Sequence, residues 1–246
     1  MHYLFNNIFY LPLYNGLIFF IDIIPFHNVG LVVVLFTCFI KIILFPLSQR
    51  AIKTQFEMKK IETEINDMKL KYKDDKKAQA EKTMQLYKDR GINPFAGIFL
   101  MLIQLPVLMA LYFVFLHGGF PNVNHADLYS FTLFPSPEAI GMTFLGVNVA
   151  EKSIIFALLA AITQFFQMQI TIPKTAAKKG DNKGAPVFKD ELARSMNMQM
   201  KYIMPVIIFF IAKNFAVVVS LYLITSSIFA IGQELYMKRK NNLTKI

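Results

Sequence analysis

The sequence lacks the residues and motifs that most enzymes use. Its one cysteine, Cys38, lies in an apolar run, so disulfides play no part in the fold and the redox compartment cannot be inferred. It has no Walker A loop, no glycine fingerprint for dinucleotides and no H-E-x-x-H pair, so nothing indicates phosphate, nicotinamide or zinc chemistry. We therefore expect no cofactor and no enzymatic reaction.

The histidines give no indication of a metal site. All four fall in segments that we expect outside the membrane, at spacings that do not fit a set of metal ligands: His2, His27, His117 and His125. The sequence predicts that no metal is bound.

What the sequence has in quantity is apolar residues. It is 55% hydrophobic with 25 Phe in 246 residues, and its charges are clustered, which is typical of a polytopic membrane protein and leaves no room for a large soluble domain. The long apolar segments are Val29 to Leu47, Ile98 to Leu116, Ser153 to Ile172, and Tyr202 to about Gly232. The last is too long for one span, so we divide it at Lys213-Asn214.

One cation interrupts the first of these segments. The 19 residues VGLVVVLFTCFIKIILFPL contain Lys41, and as a helix they rise about 28 Å, close to the hydrocarbon thickness of a bilayer. A charge inside a span is costly and is usually retained because it faces water, a partner or a substrate. The alternative is that Lys41 snorkels to the interface, but its depth favours a wet site within the membrane.

The basic residues predict the topology. Twelve Lys or Arg lie between Arg50 and Arg90, seven between Lys174 and Lys201, and four after Gln233, whereas residues 1–28 and 117–150 have none. Because Lys and Arg are retained on the cytoplasmic side, the N-terminus is expected outside and the C-terminus in the cytoplasm. This requires an odd number of spans, so five fit and four do not, and the net charge of +10 reflects topology rather than DNA binding.

The predicted fold is therefore all-α, with five transmembrane helices and a cytoplasmic helical hairpin. The expected segments are an external segment with an interfacial amphipathic helix (1–28), the first span (29–49), the cytoplasmic hairpin (50–93), the second span (96–116), an external loop (117–151), the third span (152–172), a flexible cytoplasmic loop (173–196), the fourth span (197–213), the fifth span (215–233) and a short basic cytoplasmic tail (234–246).

Apolar residues repeat in the cytoplasmic segment at the spacing of a coiled coil. The first predicted helix carries Met58, Ile61, Ile65, Met68 and Tyr72, and the second carries Ala80, Met84 and Tyr87. Gly91 and Pro94 are expected to end the second helix. The charges of the hairpin fit a solvated surface, a contact with anionic lipid or a contact with ribosomal RNA, and the spacing does not distinguish these.

Polar side chains in four of the predicted spans leave several functions open. Singly such residues are usually contacts between helices, but together with one cation they could line a hydrophilic groove. A channel or transporter would also use such a path. A Ser-Lys intramembrane hydrolase would need Lys41 as the base for a serine such as Ser226.

The ordered motifs resemble the YidC family of membrane protein insertases, including its mitochondrial and chloroplast relatives. The resemblance rests on FIKIILFPLSQRAIKTQ from Phe39, GINPFAGIFLMLIQLPVLMALYFVF from Gly91, LLAAITQFFQMQI from Leu158, and MPVIIFFIAKNFAVVVSLYLITSSIFAIGQE from Met204. It implies a groove in the inner leaflet that is open to the cytoplasm and to lipid. In the family a basic residue faces this groove, usually an arginine, and Lys41 stands at the matching position without the planar fork of a guanidinium.

The resemblance implies an insertase that takes nascent membrane proteins into the groove and releases their apolar spans into lipid. The expected groove residues are Lys41, Thr37, Gln104, Gln164, Tyr222, Thr225 and Ser226. The implied partners are nascent membrane proteins, membrane lipids, the ribosome and the Sec translocon, and not DNA. A bacterial cell membrane is the expected location, ahead of an organelle inner membrane. The short tail makes strong ribosome tethering by that segment less expected.

Overall fold

The computed structural model describes residues 2–73, 75–93, 106–110, 112–114, 125–130, 132, 136–171 and 188–240. Within these ranges the chain is mainly helical. The helices are α1 (His2–Phe5), α2 (Leu11–Ile23), α3 (Val29–Ile43), α4 (Phe45–Lys60), α5 (Glu62–Lys71), α6 (Lys76–Asp89), α7 (Ile154–Thr171), α8 (Phe188–Asn214) and α9 (Val217–Lys240). A π-helical turn joins α1 to α2 at Asn6–Tyr10, and residues 106–110 and 112–114 are also helical.

Two helices in the described ranges are long and apolar enough to cross a bilayer. These are α7 and α9, and a third span is counted if α3 and the first part of α4 form one broken span. Most of the second predicted span, 96–116, lies outside the described residues. The prediction of a helical membrane protein is confirmed at this coarser level.

The first predicted span, 29–49, is interrupted in the structure. Helix α3 ends at Ile43, and α4 begins at Phe45 and continues into the residues predicted as the cytoplasmic hairpin. Pro46 explains the break because it has no N–H to donate and its ring clashes with the carbonyl four residues earlier. At the second position of α4 the missing N–H leaves no hydrogen bond unmade.

The structure divides into two compact units. The first consists of residues 1–42 and 106–234, and the second of residues 43–105 and 235–246. The core of the first unit contains one face of α2, one face of α3 and the start of α9. Its fully buried side chains include Tyr14, Leu17, Ile18, Ile21, Val29, Val32, Val33, Val217 and Val218. The predicted interfacial helix at Leu11 to Phe26 is thus a shorter helix, α2, with one apolar face buried.

Asn15 connects α2 to the segment around residue 130. Its Nδ2 donates to the carbonyl oxygens of Leu11 and Asp127, both at 2.9 Å. Its Oδ1 accepts from the backbone N–H of Tyr129 at 2.7 Å and from the hydroxyl of Thr132 at 3.2 Å. Asn15 is only 2% exposed, so its amide satisfies these groups where water has little access.

A short two-stranded hairpin, which was not predicted, accompanies the helices. Strands β1 (Thr143–Phe144) and β2 (Val147–Asn148) pair antiparallel. Both turn residues have positive φ, 50° at Leu145 and 79° at Gly146, as in the two-residue turns that suit hairpins. The sequence indicated this hairpin only through Gly146, which stands between short segments with β-branched and aromatic residues. Such a pattern predicts a hairpin weakly when each strand has only two residues.

Helix α8 begins at Phe188, inside the segment predicted as a flexible loop (173–196), while residues 172–187 lie outside the described ones. The Lys-, Gly- and Pro-rich composition behind that prediction ends near Pro186, and good helix formers such as Leu192, Ala193 and Arg194 follow. At its other end α8 stops at Asn214, and α9 starts at Val217. The predicted division at Lys213-Asn214 thus falls on the last two residues of α8, and Phe215 and Ala216 separate the two helices.

The second unit contains the helical hairpin. Its small core is formed by Ile61, Ile65, Leu86 and Ile92, against which Met58 and Tyr87 pack. On α6 the buried position is Leu86, whereas Ala80 and Met84 are exposed, so the predicted seam is wrong at these two positions. The larger Leu86 turns toward α5 and rotates the seam from the predicted positions.

Side-chain and backbone groups stabilise the ends of this hairpin. Asp75 caps α6 by accepting from the N–H groups of Lys77 and Ala78 at 3.0 and 2.9 Å. Gly91 follows α6 with a φ of 64°, as expected for the residue that ends the helix. Nη2 of Arg90 donates to both carboxylate oxygens of Glu64, at 2.7 and 2.9 Å.

Candidate functional site

The candidate site consists of polar residues in the apolar helices of the first unit. On α3, Thr37 and Lys41 are one helical turn apart and lie on the same side of the helix. Thr37 is 2% exposed, and its hydroxyl donates to the carbonyl oxygen of Val33 at 2.6 Å. Lys41 is partly exposed, which makes it the more accessible polar residue of the pair.

Hydrogen bonds between side chains connect α7 to α9 at two levels. The hydroxyl of Ser227 donates to Oε1 of Gln164 at 3.1 Å, and the hydroxyl of Thr171 donates to Oε2 of Glu234 at 3.0 Å. The second bond lies seven residues beyond the first on both helices. The two helices therefore run in the same direction, and two turns of each separate the bonds.

Residues on the same side of α7 as Gln164 also pack closely against α8. Three alanines with no exposed surface, Ala157, Ala160 and Ala212, lie together, and Ile208 and Phe209 pack against them. Small side chains let membrane helices approach closely. Leu223 and Ile224 of α9 also pack against this cluster, so one side of α7 meets both α8 and α9.

The predicted groove residues of α9 are mostly buried. Tyr222 is 2% exposed and belongs to the apolar core, while Thr225 and Ser226 are 9% and 8% exposed. The hydroxyls of Ser220 and Ser226 have no hydrogen-bond partner among the described residues. The Lys41 amine therefore makes no hydrogen bond to Ser226, the serine named in the hydrolase hypothesis.

The structure brings only some of the predicted residues together. Thr37 and Lys41 share one side of α3, and Gln164 meets α9 through Ser227 rather than through a predicted groove residue. Gln104 lies outside the described residues. Thr171 and Glu234 were not predicted. The sequence did contain a signal for this bond, because Thr171 follows Gln164 by seven residues and Glu234 follows Ser227 by seven residues. This matched spacing indicates a contact only once α7 and α9 are known to be neighbours.

Thr171→Val tests the hydrogen bond between Thr171 of α7 and Glu234 of α9. Removing the hydroxyl takes a donor from the buried carboxylate of Glu234, so we expect a loss of about 0.6 kcal/mol, the average for hydrogen bonds between membrane helices. Thr163→Val is the matched control because the Thr163 hydroxyl donates only to carbonyls of its own helix. The measurement is thermal unfolding of both variants in detergent, and equal midpoints would show that the bond contributes nothing.

The described residues contain no group of three or more His, Cys, Asp or Glu side chains that could hold a metal ion. What the first unit offers is different in kind. It has apolar helices of membrane-spanning length, a partly exposed cation and polar contacts between helices. These features define a helical integral membrane protein with polar contacts between its helices.

Comparison with known proteins identifies the family. A family model described as 60Kd inner membrane protein matches residues 19–244, and the chain belongs to this family. Proteins named membrane protein insertase YidC are similar over most of the chain. The one from Clostridium tetani is 30% identical over 216 residues, which cover 87% of this chain and 84% of the relative. The predicted resemblance is confirmed.

Other relatives show how length varies among similar proteins. The YidC insertase of Fusobacterium nucleatum is 29% identical over 218 residues, which cover 87% of both chains. That of Pelobacter propionicus is also 29% identical, over 216 residues, but these make up only 36% of its length. This chain thus matches nearly all of the shorter relatives and a limited part of the longer one.

Proposed function

We propose that this protein inserts nascent membrane proteins into a bacterial cell membrane. The observation that carries the proposal is the family match over residues 19–244, together with relatives of similar length that are named insertases. The similar proteins named above come from bacteria, which favours a bacterial cell membrane over an organelle. We expect the protein to work without covalent chemistry or a cofactor.

The proposed topology has five spans with the N-terminus outside. Three helix starts support it because they lie at one end of the first unit, beside the β-hairpin. The N–H of Val29 donates to Gly141 O at 3.0 Å, and those of Val217 and Val218 donate to Glu151 O and Val149 O at 2.7 and 3.0 Å. Helix α7 follows Glu151 after two residues. Helices α3, α7 and α9 would be the first, third and fifth spans, which run the same way.

Exposed apolar side chains on α7 and α8 support placement in lipid. On α7, Ile154, Ile155 and Leu158 are 62%, 70% and 51% exposed. On α8, Val206 and Phe210 are 53% and 57% exposed. Soluble monomers rarely present so continuous an apolar surface, whereas in a bilayer this surface contacts acyl chains at no desolvation cost.

In the proposed mechanism a polar or acidic segment of the substrate enters a hydrophilic groove from the cytoplasm. Lys41 supplies a positive potential, and hydroxyls and amides replace part of the hydration of the segment, which lowers the desolvation barrier. The groove is expected to be lined by Thr37, Lys41, Gln104, Gln164, Tyr222, Thr225 and Ser226.

Transfer of the apolar part of the substrate into lipid would drive the reaction. Burial of apolar surface is worth about 25 cal/mol per Å², so a single span provides a large free-energy decrease without nucleotide hydrolysis. The hairpin and the segment after Pro173 would receive the substrate. The ribosome and the Sec translocon are proposed partners at the cytoplasmic surface, where most of the lysines of α4 and α6 are exposed.

Reconstitution tests the proposal directly. The purified protein is placed in liposomes, a small single-span protein is synthesised in their presence, and the protease-protected fraction is measured. Liposomes without the protein provide the baseline for spontaneous insertion. We expect a protected fraction well above this baseline with no ion conductance. Equal fractions with and without the protein would refute the insertase function, and single-channel currents would favour a channel.

A further inference from the structure

Gly30 is the point of closest approach between α3 and the β-hairpin. A Cβ at this position would overlap Cβ and Cγ of Phe144 and would lie 2.8 Å from its Cδ2. Real Cβ atoms do not approach other atoms so closely, so only glycine permits this contact. Gly30 is buried, and Phe144 packs against the main core of the first unit. The ring of Phe144 therefore rests directly on the backbone of α3.

Hydrogen bonds fix the same hairpin to the start of α3. Asn28 Nδ2 donates to Thr143 O at 2.7 Å, and Asn28 Oδ1 accepts from the N–H of Leu31 at 3.0 Å, so this side chain caps α3 while it binds the hairpin. The N–H of Gly141 donates to His27 O at 3.1 Å, next to the bond from Val29 N–H to Gly141 O. These bonds leave little freedom for α3 to slide along its axis.

The hairpin also binds the start of α9. Val149, which has no exposed surface, and Glu151 accept the first two N–H groups of that helix. One rigid connection of about ten residues thus sets the height of α3 relative to α9. Gly30 and Lys41 are eleven residues apart, close to three full turns, so they lie on the same side of α3 about 16 Å from each other.

From this geometry we propose that Gly30 and Phe144 are positioning residues that set the axial position of α3, and with it the depth of Lys41, relative to α9. This inference rests on the proposed function, in which Lys41 provides the groove potential. A larger residue at position 30 pushes α3 away from the hairpin, moves Lys41 with it, and weakens recognition of acidic segments. Replacing Phe144 by glycine removes the side-chain atoms that a Cβ at position 30 would overlap.

The test compares Gly30→Ala with the double variant Gly30→Ala/Phe144→Gly. The first measurement is insertion of two substrates that differ only in aspartate or asparagine residues in the translocated segment. Gly30→Ala should lower the acidic-to-neutral insertion ratio about threefold, as expected for loss of part of a charge interaction, and the double variant should restore it. Gly232→Ala is the matched control because a Cβ there meets nothing within 4 Å.

The second measurement uses Cys38, the only cysteine in the sequence, as a probe of α3. It lies one turn before Lys41 and is partly exposed, so its alkylation rate by a maleimide reports the position of the helix. Gly30→Ala should change this rate and the double variant should return it to the wild-type value. An unchanged rate and ratio in folded Gly30→Ala, or an equal loss for both substrates at an unchanged rate, would overturn the proposal.

Two further variants keep the outcomes distinguishable. If Gly30→Ala does not fold, Phe144→Ala is used instead, because it removes the ring without creating a clash. It should change the Cys38 alkylation rate by loosening the contact between the hairpin and α3. An unchanged rate would then refute the positioning role of this contact. If Lys41→Ala leaves the acidic-to-neutral ratio at the wild-type value, the proposed role of Lys41 fails. The Cys38 rate alone then decides whether Gly30 and Phe144 position α3.

Discussion

Lys41→Glu is expected to reduce insertion of a substrate with an acidic translocated segment by at least about tenfold, which corresponds to ~1.4 kcal/mol. The reason is electrostatic. In a partly exposed site within the first unit, the substitution replaces attraction by repulsion where dielectric screening is weaker than in water. Lys41→Ala should have a smaller effect, and Lys41→Arg should remain near the wild type because it keeps the charge.

The measurement is the protease-protected fraction of two substrates that differ only by aspartate-to-asparagine changes. The effect should be specific to the acidic substrate, since the neutral one has no charge to repel. Lys152→Glu is a suitable control because it changes the net charge equally at an exposed position before α7. Normal insertion of the acidic substrate by Lys41→Glu would exclude a groove role for this residue, and loss of activity in Lys41→Arg would reopen the Ser-Lys hypothesis.

The second large effect is expected from Asn15→Leu. This change removes one amide that binds two carbonyls, one backbone N–H and one hydroxyl, and three of these four hydrogen bonds go to the segment around residue 130. Each unpaired buried polar group costs about 1–3 kcal/mol, so a total loss of about 2–4 kcal/mol is expected after local relaxation. For a chain of this size the unfolding midpoint should fall by roughly 5–10 °C.

A thiol-reactive fluorogenic dye can follow this unfolding in detergent because Cys38 is the only thiol. Asn7→Leu is the control because Asn7 is exposed on the π-helical turn before α2. Asn15→Asp gives a finer test. It keeps the acceptor for the Tyr129 N–H but loses the donor to Asp127 O and introduces a buried charge, so it should also destabilise. A midpoint for Asn15→Leu equal to that of Asn7→Leu would mean that the four hydrogen bonds do not stabilise the fold.

Much of the helical content could be predicted because it depends on local hydrophobicity. The third and fifth predicted spans, 152–172 and 215–233, coincide closely with α7 and the apolar part of α9. The break between α8 and α9, just after the predicted Lys213-Asn214, followed from length and charge, since one helix could not span the whole apolar stretch. These features need only bilayer thickness and helical rise, both of which apply to any sequence.

The contacts between distant segments could not be predicted in the same way. Asn15 looks like one polar residue on an apolar helix until the loop around residue 130 is placed beside it. Gly30 looks like an ordinary glycine in a span until Phe144 is found against its backbone. The bond between Thr171 and Glu234 likewise depends on which helices are neighbours. Hydrophobic periodicity indicates which face of a helix is apolar, but it does not indicate which residues of distant segments pack against that face.

The two hydrogen bonds between α7 and α9 also bear on how quickly the helices can separate. Because the bonds are in step along parallel helices, a slide of a single turn breaks both, so the contact is made or lost as a whole. Each such bond contributes only about 0.6 kcal/mol in a membrane, close to the thermal energy. The pair therefore fixes one axial alignment of the two helices, while its own contribution to slowing their separation is only a few-fold.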